Sequence, residues 1–224
     1  LRKNYNGLKN PQAIKIGKQN SHQLDIKSLF PNTLAQRKKD FLNKLASPSG
    51  KTKYKRYMGA PIRYAGGKSL AVGLVIERMP DNVKKVVSPF LGGGSVEVAI
   101  AKELGLPVIG YDIFDILINY WKVQLDNPKA LYERLLEFEP TRNGFKEAKD
   151  RLKKHWKKEE KLGKFDLAAY YYFNHNTSYG PHFLGWPSSV YLQKERYQKM
   201  LEKVRDFRAD TLQVECASFE NIMS

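Results

Sequence analysis

Three consecutive glycines, Gly92-Gly93-Gly94, and an aspartate twenty residues beyond the first of them, Asp112, are the residues whose types and spacing most directly indicate chemistry. Glycines between a strand and a helix let a ligand approach the backbone closely, and the first turn of the helix offers unpaired N–H groups. A carboxylate at the end of the next strand can accept hydrogen bonds from both hydroxyls of a ribose. The spacing predicts a site for an adenosine-containing cofactor. A purely structural turn that requires positive φ values would use the same glycines.

Two other glycine-rich motifs are excluded. A dinucleotide-binding G-x-G-x-x-G motif that began at Gly92 would need a glycine where Glu97 stands. A phosphate-binding loop of the form G-x-x-x-x-G-K-[ST] that ended in Gly67-Lys68-Ser69 would need a glycine in place of Ile62. The predicted cofactor site therefore belongs to neither of these nucleotide-binding classes.

A strand, the glycine turn, a helix and a second strand follow one another around this site. Residues 84–88 read as the first strand, a helix begins near Val96 and ends near Gly105, and residues 107–111 form the next strand, which Asp112 ends. Parallel strands joined in this way require a right-handed crossover. The sequence therefore predicts an α/β fold that contains a βαβ unit.

The rest of the chain reads as mainly helical. Apolar periodicity predicts helices over residues 34–45, 70–78, 115–162, 165–173 and 191–207, and a third strand over residues 212–214. Residues 174–189 are polar and interrupted by Gly and Pro, which is typical of a loop. About one hundred residues thus separate the second strand from the third.

Composition and charge narrow the class of protein. The 224 residues are 42% apolar, no run approaches a membrane span, and the single cysteine, Cys216, excludes an internal disulfide, so we expect a globular, cytoplasmic protein. Residues 1–57 hold fourteen Lys and Arg against two Asp, a net charge of +12 of the total of +16. A basic segment ahead of a nearly balanced body indicates a polyanion partner; a solvated tail and a membrane surface are the alternatives.

Several segments in series resemble the Dam-like family of adenine-specific DNA methyltransferases. In order along the chain they are Arg63-Tyr64-Ala65-Gly66-Gly67-Lys68, the run from Ser88 to Val96, Tyr111-Asp112-Ile113, Tyr172-Phe173-Asn174 and Cys216-Ala217-Ser218-Phe219. The resemblance covers residues 58–224. It implies a Rossmann-like S-adenosylmethionine-dependent methyltransferase sheet, incomplete in this chain, with residues 84–88 as a central strand and a helical target-recognition insertion.

The resemblance also implies roles for individual residues. The cofactor-binding set that it implies is Tyr64, Ala65, Gly66, Gly67, Lys68, Pro89, Phe90, Gly92, Gly93, Gly94, Ser95, Asp112, Ile113, Ser218 and Phe219. Asp112 would hold the ribose hydroxyls and Lys68 would lie near the methionine carboxylate. Tyr64, which stands where many relatives have Trp, would pack over the cofactor. An ordinary helix-start lysine is the alternative for Lys68, and a core residue is the alternative for Phe219.

The insertion between the second and third strands is where the resemblance implies contact with double-stranded DNA. Its amide, imidazole, hydroxyl and aromatic groups suit base edges and stacking. The predicted DNA-binding set is Arg142, Asn143, Asn174, His175, Asn176, Thr177, Ser178, Tyr179, His182 and Trp186. An aromatic-anchored structural loop is the alternative for residues 174–189, and a solvated helix is the alternative to phosphate contact for residues 146–161.

The family's catalytic Asp-Pro-Pro-Tyr tetrapeptide, which orients a flipped adenine, does not occur in the 224 residues. We expect it beyond Ser224 or on a second subunit. The expected organisation is a basic arm or accessory element over residues 1–57, a cofactor-binding part over 58–118, a target-recognition insertion over 119–209 and a return to the sheet over 210–224. A methyltransferase is the leading hypothesis; a non-catalytic DNA-binding module and an RNA methyltransferase are the alternatives.

Overall fold

The computed structural model describes residues 33–223, and the first 32 residues of the predicted basic arm lie outside the described residues. The elements, in chain order, are α1 (Leu34–Leu45), α2 (Val72–Arg78), β1 (Val86–Ser88), α3 (Ser95–Leu104), β2 (Val108–Asp112), α4 (Asp115–Asp126), α5 (Pro128–Leu136), α6 (Arg142–Trp156), α7 (Lys164–Thr177), α8 (Lys194–Asp206), β3 (Leu212–Cys216) and α9 (Glu220–Met223). The predicted α/β class and the predicted βαβ unit are both present.

The three strands form one parallel sheet in the order β1-β2-β3. Val86 of β1 pairs with Val108 of β2, and Asp112 at the end of β2 pairs with Cys216 of β3. Parallel strands end at the same edge of a sheet, so the segments that follow Ser88, Asp112 and Cys216 meet there. In the described part of the chain β1 forms the border of the sheet, and its central residue, Val87, is 48% exposed.

Local signals in the sequence set most helix ends. Thr33 caps α1 by accepting a hydrogen bond from Gln36 N–H, and Thr141 caps α6 in the same way with Gly144 N–H. Asn127 caps α5, and Pro128 occupies its first position, where the missing N–H costs no hydrogen bond. The run predicted as helical over residues 115–162 is therefore divided into three helices.

Residues 33–57 are part of the body of the protein. Leu34, Phe41 and Leu45 of α1 are buried in the main hydrophobic core, and α1 packs against α2 and α3. Tyr54 and Tyr57 are buried in the same core. The structure gives no boundary at residue 57, because this segment shares the core of the residues that follow it.

The helix α7 extends four residues further than predicted. Its central aromatic residues Tyr171, Tyr172 and Phe173 are almost fully buried, and it packs mainly against α4 and α6. The polar residues that follow, 174–177, continue the helix rather than start a loop. The predicted loop over residues 174–189 is therefore corrected: irregular backbone begins at Ser178.

No helix among residues 33–223 is both long and apolar enough to span a membrane.

Candidate functional site

The glycine turn is fixed by contacts with the neighbouring strand and with α4. Leu91 N–H donates to the carbonyl of Tyr111 in β2 at 2.7 Å, and Trp121 Nε1 donates to the carbonyl of Gly92 at 2.9 Å. Gly94 has a φ of +62°, and a β-carbon there would lie 2.7 Å from the Trp121 ring. Glycine is thus required at this position both by the backbone conformation and by the approach of the indole.

Asp112 connects the end of β2 to the glycine turn. Its Oδ2 accepts a hydrogen bond from Gly92 N–H at 2.9 Å, and its Oδ1 accepts one from Phe114 N–H at 3.1 Å. A carboxylate can accept about four hydrogen bonds, so this side chain retains acceptor capacity for a ligand. It lines a cavity of about 470 Å³ around the turn.

Tyr64, which lies in the segment between α1 and α2, packs against the glycine turn. A β-carbon at Gly93 would lie 2.4 Å from the Cβ of Tyr64, and one at Gly92 would lie 3.1 Å from its ring. Burial, followed by the negative charge of Asp112, raises the pKa of Tyr64 above its ordinary value. The phenol therefore stays protonated at neutral pH and can donate a hydrogen bond at the cavity.

Most of the predicted cofactor residues share this one cavity. Those that line it are Tyr64, Ala65, Gly66, Gly67, Lys68, Phe90, Gly92, Gly93, Gly94, Ser95 and Asp112. The Nζ of Lys68 donates to the carbonyl of Gly66 at 2.9 Å. Pro89, Ile113, Ser218 and Phe219 do not line it. Ile113 and Phe219 are exposed beside the carboxyl edge, and the Phe219 ring lies 5.4 Å from that of Phe90.

Sequence reasoning missed one acidic residue of the cavity. Glu97 is buried in the first turn of α3, and Ser88 Oγ donates to its carboxylate at 2.5 Å. Burial raises the pKa of Glu97 above its ordinary value. The sequence signal that could have found Glu97 was its position, one helical turn after the three glycines. A side chain in the first turn of this helix lies close to the glycine backbone that would bind a ligand.

The end of α7 holds the segment that carries Tyr64. Arg63 N–H donates to Asn176 Oδ1 at 2.9 Å, and Arg63 Nη1 donates to the carbonyl of Asn176 at 2.6 Å. His175 Nε2 hydrogen-bonds the carbonyl of Arg63 at 2.9 Å, and the His175 ring stacks on Tyr64 with centroids 5.5 Å apart. Burial lowers the pKa of His175 to about 4, so the ring is neutral at physiological pH.

The prediction that residues 174–177 lie in a loop is wrong, and the polar residues 174–178, which were predicted to contact DNA, face the interior of the protein. The five residues concerned, all buried, are Asn174, His175, Asn176, Thr177 and Ser178. Their polar groups are used inside the protein: Thr177 and Ser178 donate back to carbonyls of α7, and Asn174 Oδ1 accepts from Leu184 N–H. In this structure their side chains are not available to DNA.

Residues 178–187 form a short hairpin, which we call the recognition hairpin. Ser178 and Pro187 form an antiparallel bridge, and Tyr179 N–H donates to the carbonyl of Trp186 at 2.8 Å. Phe183 anchors the hairpin by packing edge-on against Phe114. The outward residues are Tyr179 at 82% exposure, Trp186 at 79%, and His182, which is also exposed.

The remaining predicted DNA contacts, Arg142 and Asn143, are exposed in the first turn of α6. The recognition hairpin also touches α6 further along, because Lys149 Nζ donates to the carbonyl of Gly185 at 3.0 Å and lies 4.9 Å above the Trp186 ring. A positive charge is thus held beside one of the two exposed aromatic rings of the hairpin.

Comparison with known families gives one match. Residues 64–224 match the family model described as D12 class N6 adenine-specific DNA methyltransferase. The match spans the glycine turn, Asp112, α7 and the recognition hairpin. No curated protein shows significant similarity to the chain.

Proposed function

Because the chain belongs to the D12 class of N6 adenine-specific DNA methyltransferases, we propose that it binds S-adenosylmethionine around its glycine turn and holds double-stranded DNA with its recognition hairpin. When bound, this cofactor supplies an activated methyl group for the exocyclic amine of adenine. We also propose that the sheet is the first part of a Rossmann-like methyltransferase fold, and that residues 119–209 form the target-recognition region.

The single observation that carries the proposal is the Asp112–glycine contact beside a cavity of sufficient size. The cavity of about 470 Å³ lies within the usual range for a small-molecule cofactor. Asp112 holds Gly92 N–H and still has acceptor capacity, which suits the two hydroxyls of a ribose. Tyr64 packs so closely on Gly93 that this position accepts no side chain, and the packing places Tyr64 at the wall of the cavity.

Each residue of the cavity would contact the part of the cofactor that suits its chemistry. Asp112 would accept from the ribose hydroxyls, and the Tyr64 ring would cover the cofactor. Lys68 would face the methionine carboxylate, after exchanging its hydrogen bond to Gly66 for the stronger charge-assisted one. Ile113, Ser218 and Phe219, which lie at the carboxyl edge, are proposed to close around the adenine when the cofactor binds.

The protein's contribution to the reaction is mainly positioning. A sulfonium methyl is intrinsically reactive, so the main requirements are to extrude the adenine from the duplex and to align its amine with the methyl group. The recognition hairpin is suited to extrusion because it presents two exposed aromatic rings, of which Trp186 lies beside Lys149. Neutral, buried His175 has no part in proton transfer in this scheme.

A second candidate is a DNA-binding module that keeps the methyltransferase fold without its chemistry. The observation in its favour is the recognition hairpin, whose exposed Tyr179 and Trp186 can contact DNA without a bound cofactor. Cofactor binding discriminates between the two, since a module without chemistry has no need of S-adenosylmethionine.

Calorimetric titration of the 224-residue chain with S-adenosylmethionine, with and without duplex DNA, tests the proposal. We expect binding that Asp112→Ala weakens at least about tenfold, because the loss of even one charge-assisted hydrogen bond costs about 1.5 kcal/mol. Asp115→Ala is the matched control, because Asp115 is exposed, three residues away and outside the cavity. Absence of binding with DNA present, or equal weakening by both variants, would reject the cofactor site.

A further inference from the structure

A second, larger cavity adjoins the proposed cofactor site. It has a volume of about 550 Å³, and Tyr64, Gly67 and Ser95 line both cavities. Its walls come from the segment 56–64 and from α8. None of the DNA contacts or cofactor contacts proposed above accounts for a cavity of this size at this position.

The charges around this cavity are of one sign. Arg56, Arg63 and Lys203 line it, and no Asp or Glu is among its lining residues in the described chain. Residues 33–223 provide none of the three with an ion pair within 4.0 Å. Arg56 and Lys203 are exposed, whereas Arg63 is half-buried. The cavity therefore concentrates positive charge that no carboxylate of this region offsets.

Arg63 is held rigidly at the cavity wall. Its Nη1 donates to the carbonyls of Asn176 and Ser178 at 2.6 and 3.2 Å, and its guanidinium lies 3.5 Å from the centre of the Tyr191 ring. Arg56 is similarly directed, because its Nη1 donates to Ser69 Oγ at 2.9 Å. Fixed guanidinium groups lose little conformational freedom when they bind an anion.

An anion in this cavity would resolve an unfavourable arrangement. Partial burial of a cation without a counter-charge costs free energy, and burial lowers the pKa of Arg63. The planar guanidinium matches the tetrahedral oxygens of a phosphate through paired hydrogen bonds. An apolar wall, which includes Met58 and Met200, leaves room for the carbon skeleton that carries such a group.

We propose that the cavity formed by Arg56, Arg63 and Lys203 binds a phosphate group. Two sources share this chemistry, the backbone of duplex DNA and a free phosphorylated ligand. The DNA source rests on the function proposed above and is favoured by position, because Arg63 bonds the carbonyl of Ser178 at the base of the recognition hairpin. A backbone phosphate in the cavity would fix the register of the DNA relative to the hairpin.

Two charge-matched double variants test the proposal. Arg56→Gln with Lys203→Gln removes two cations from the cavity and leaves Arg63, which also supports the cofactor segment, in place. Lys194→Gln with Lys199→Gln removes two exposed cations of α8 that do not line the cavity. Fluorescence anisotropy with a random-sequence duplex, repeated over a range of KCl concentrations, measures affinity and its salt dependence.

We expect the cavity pair to weaken duplex binding about tenfold more than the control pair and to reduce the slope of log Kd against log[KCl] by about one. Acetylation of lysines, read by mass spectrometry, provides a second measurement. Lys203 should be protected relative to Lys199 by the duplex. Protection by pyrophosphate but not by the duplex would instead assign the site to a free ligand.

Equal loss of duplex affinity in the two pairs, together with no selective protection of Lys203 by either probe, would overturn the phosphate site. The result is independent of cofactor binding. A chain that binds DNA through this cavity and fails to bind S-adenosylmethionine would refute the proposed methyltransferase function alone. A chain that binds the cofactor and shows no preference for the cavity lysine would refute the phosphate site alone.

Discussion

Asp112, Tyr64 and Trp121 fix the conformation of the glycine turn through contacts within the protein. Each contacts the turn from a different segment: Asp112 through Gly92 N–H, Trp121 through the carbonyl of Gly92, and Tyr64 through close packing on Gly93. A site that is already ordered loses less conformational entropy on binding than one that must fold around its ligand. At the residue scale, cofactor affinity should therefore depend strongly on this packing.

A single methyl group at Gly93 should disrupt the site. In Gly93→Ala the new β-carbon would meet the Cβ of Tyr64 at 2.4 Å, so Tyr64 must move away from the cavity. We expect S-adenosylmethionine binding to weaken at least about tenfold and unfolding free energy to fall by about 1–3 kcal/mol. Calorimetric titration and chemical denaturation measure the two effects.

Gly163→Ala is the control for this substitution. Gly163 precedes α7 with a φ of −65° and has no atom within 4 Å of an added β-carbon. Its replacement should leave cofactor affinity unchanged and alter stability by less than about 1 kcal/mol. Equal loss of affinity in both variants would show that the close approach at Gly93 is unimportant.

At the scale of elements, α7 joins the recognition hairpin to the cofactor cavity. Its last turn bonds Arg63, the next residue is Tyr64 of the cavity, and the hairpin begins directly after the helix. A displacement of the hairpin would therefore reach Tyr64 through short, buried hydrogen bonds. If bound DNA changes the affinity for the cofactor, the bound cofactor must change the affinity for DNA by the same factor.

His175 makes the stability of this junction dependent on pH. Its pKa is about 4 in the folded chain and about 6.5 when exposed, so the unfolded state gains a proton first as pH falls. The stability that the neutral His175 ring contributes to the folded chain is fully present above pH 6.5. It is lost as the pH falls towards 4. Between pH 7.5 and 5.0 the loss should be about 2 kcal/mol.

Chemical denaturation of His175→Gln at those two pH values isolates this contribution. The variant keeps a side-chain donor for the carbonyl of Arg63 and should lose about 2 kcal/mol less than the unsubstituted chain. Asn143→Gln, a neutral substitution at an exposed position of α6, should keep the original pH dependence. The same decline in His175→Gln as in the unsubstituted chain would mean that His175 is not the group responsible.

The recognition hairpin should contribute to DNA affinity through its two exposed rings. Tyr179→Ala and Trp186→Ala are each expected to weaken duplex binding by about 1–3 kcal/mol, because stacking on a base is worth that much. Both residues are largely exposed, so thermal stability should change little. Leu136→Ala, an apolar truncation at 48% exposure on α5, is the control in the same anisotropy measurement. Unchanged affinity in both aromatic variants would remove the hairpin from the DNA interface.

The sequence predicted elements well where local signals are strong. Helix α1 has the predicted limits, and the order strand, glycine turn, helix, strand follows from alternating composition and from the conformational demands of Gly94 and Gly105. The end of α7 could not be predicted in the same way. Asn174 to Thr177 are polar and read as surface, but Arg63, which hydrogen-bonds His175 and Asn176, lies more than one hundred residues away in the chain. Only the tertiary structure reveals that these side chains are buried.

At the scale of the whole molecule, the basic N-terminal sequence should add general affinity for DNA. Residues 1–32 hold six Lys and Arg against one Asp, a net charge of +5. Removing them should reduce the salt dependence of duplex binding without changing which sequences are preferred. Anisotropy at several salt concentrations, combined with selection from random oligonucleotides, distinguishes the two effects; an altered preference would contradict a purely electrostatic role.

The position of the deletion matters for this experiment. A chain that begins at residue 33 retains α1 and should unfold cooperatively. A chain that begins at residue 58 loses the buried side chains of Leu34, Phe41 and Leu45, each worth about 2–5 kcal/mol in a packed core. We expect the shorter chain to be unfolded by circular dichroism, which would confirm that residues 33–57 belong to the body.

The border strand β1 has a consequence for handling the protein. No strand of the described residues covers its outer edge, and Val75 and Val87 are exposed beside it. An uncovered apolar edge can template pairing between molecules and so promote aggregation. Lys84 and Lys85 directly precede the strand, where like charges discourage such stacking. Solubility of the 224-residue chain should accordingly fall at high salt, which screens the repulsion between these lysines.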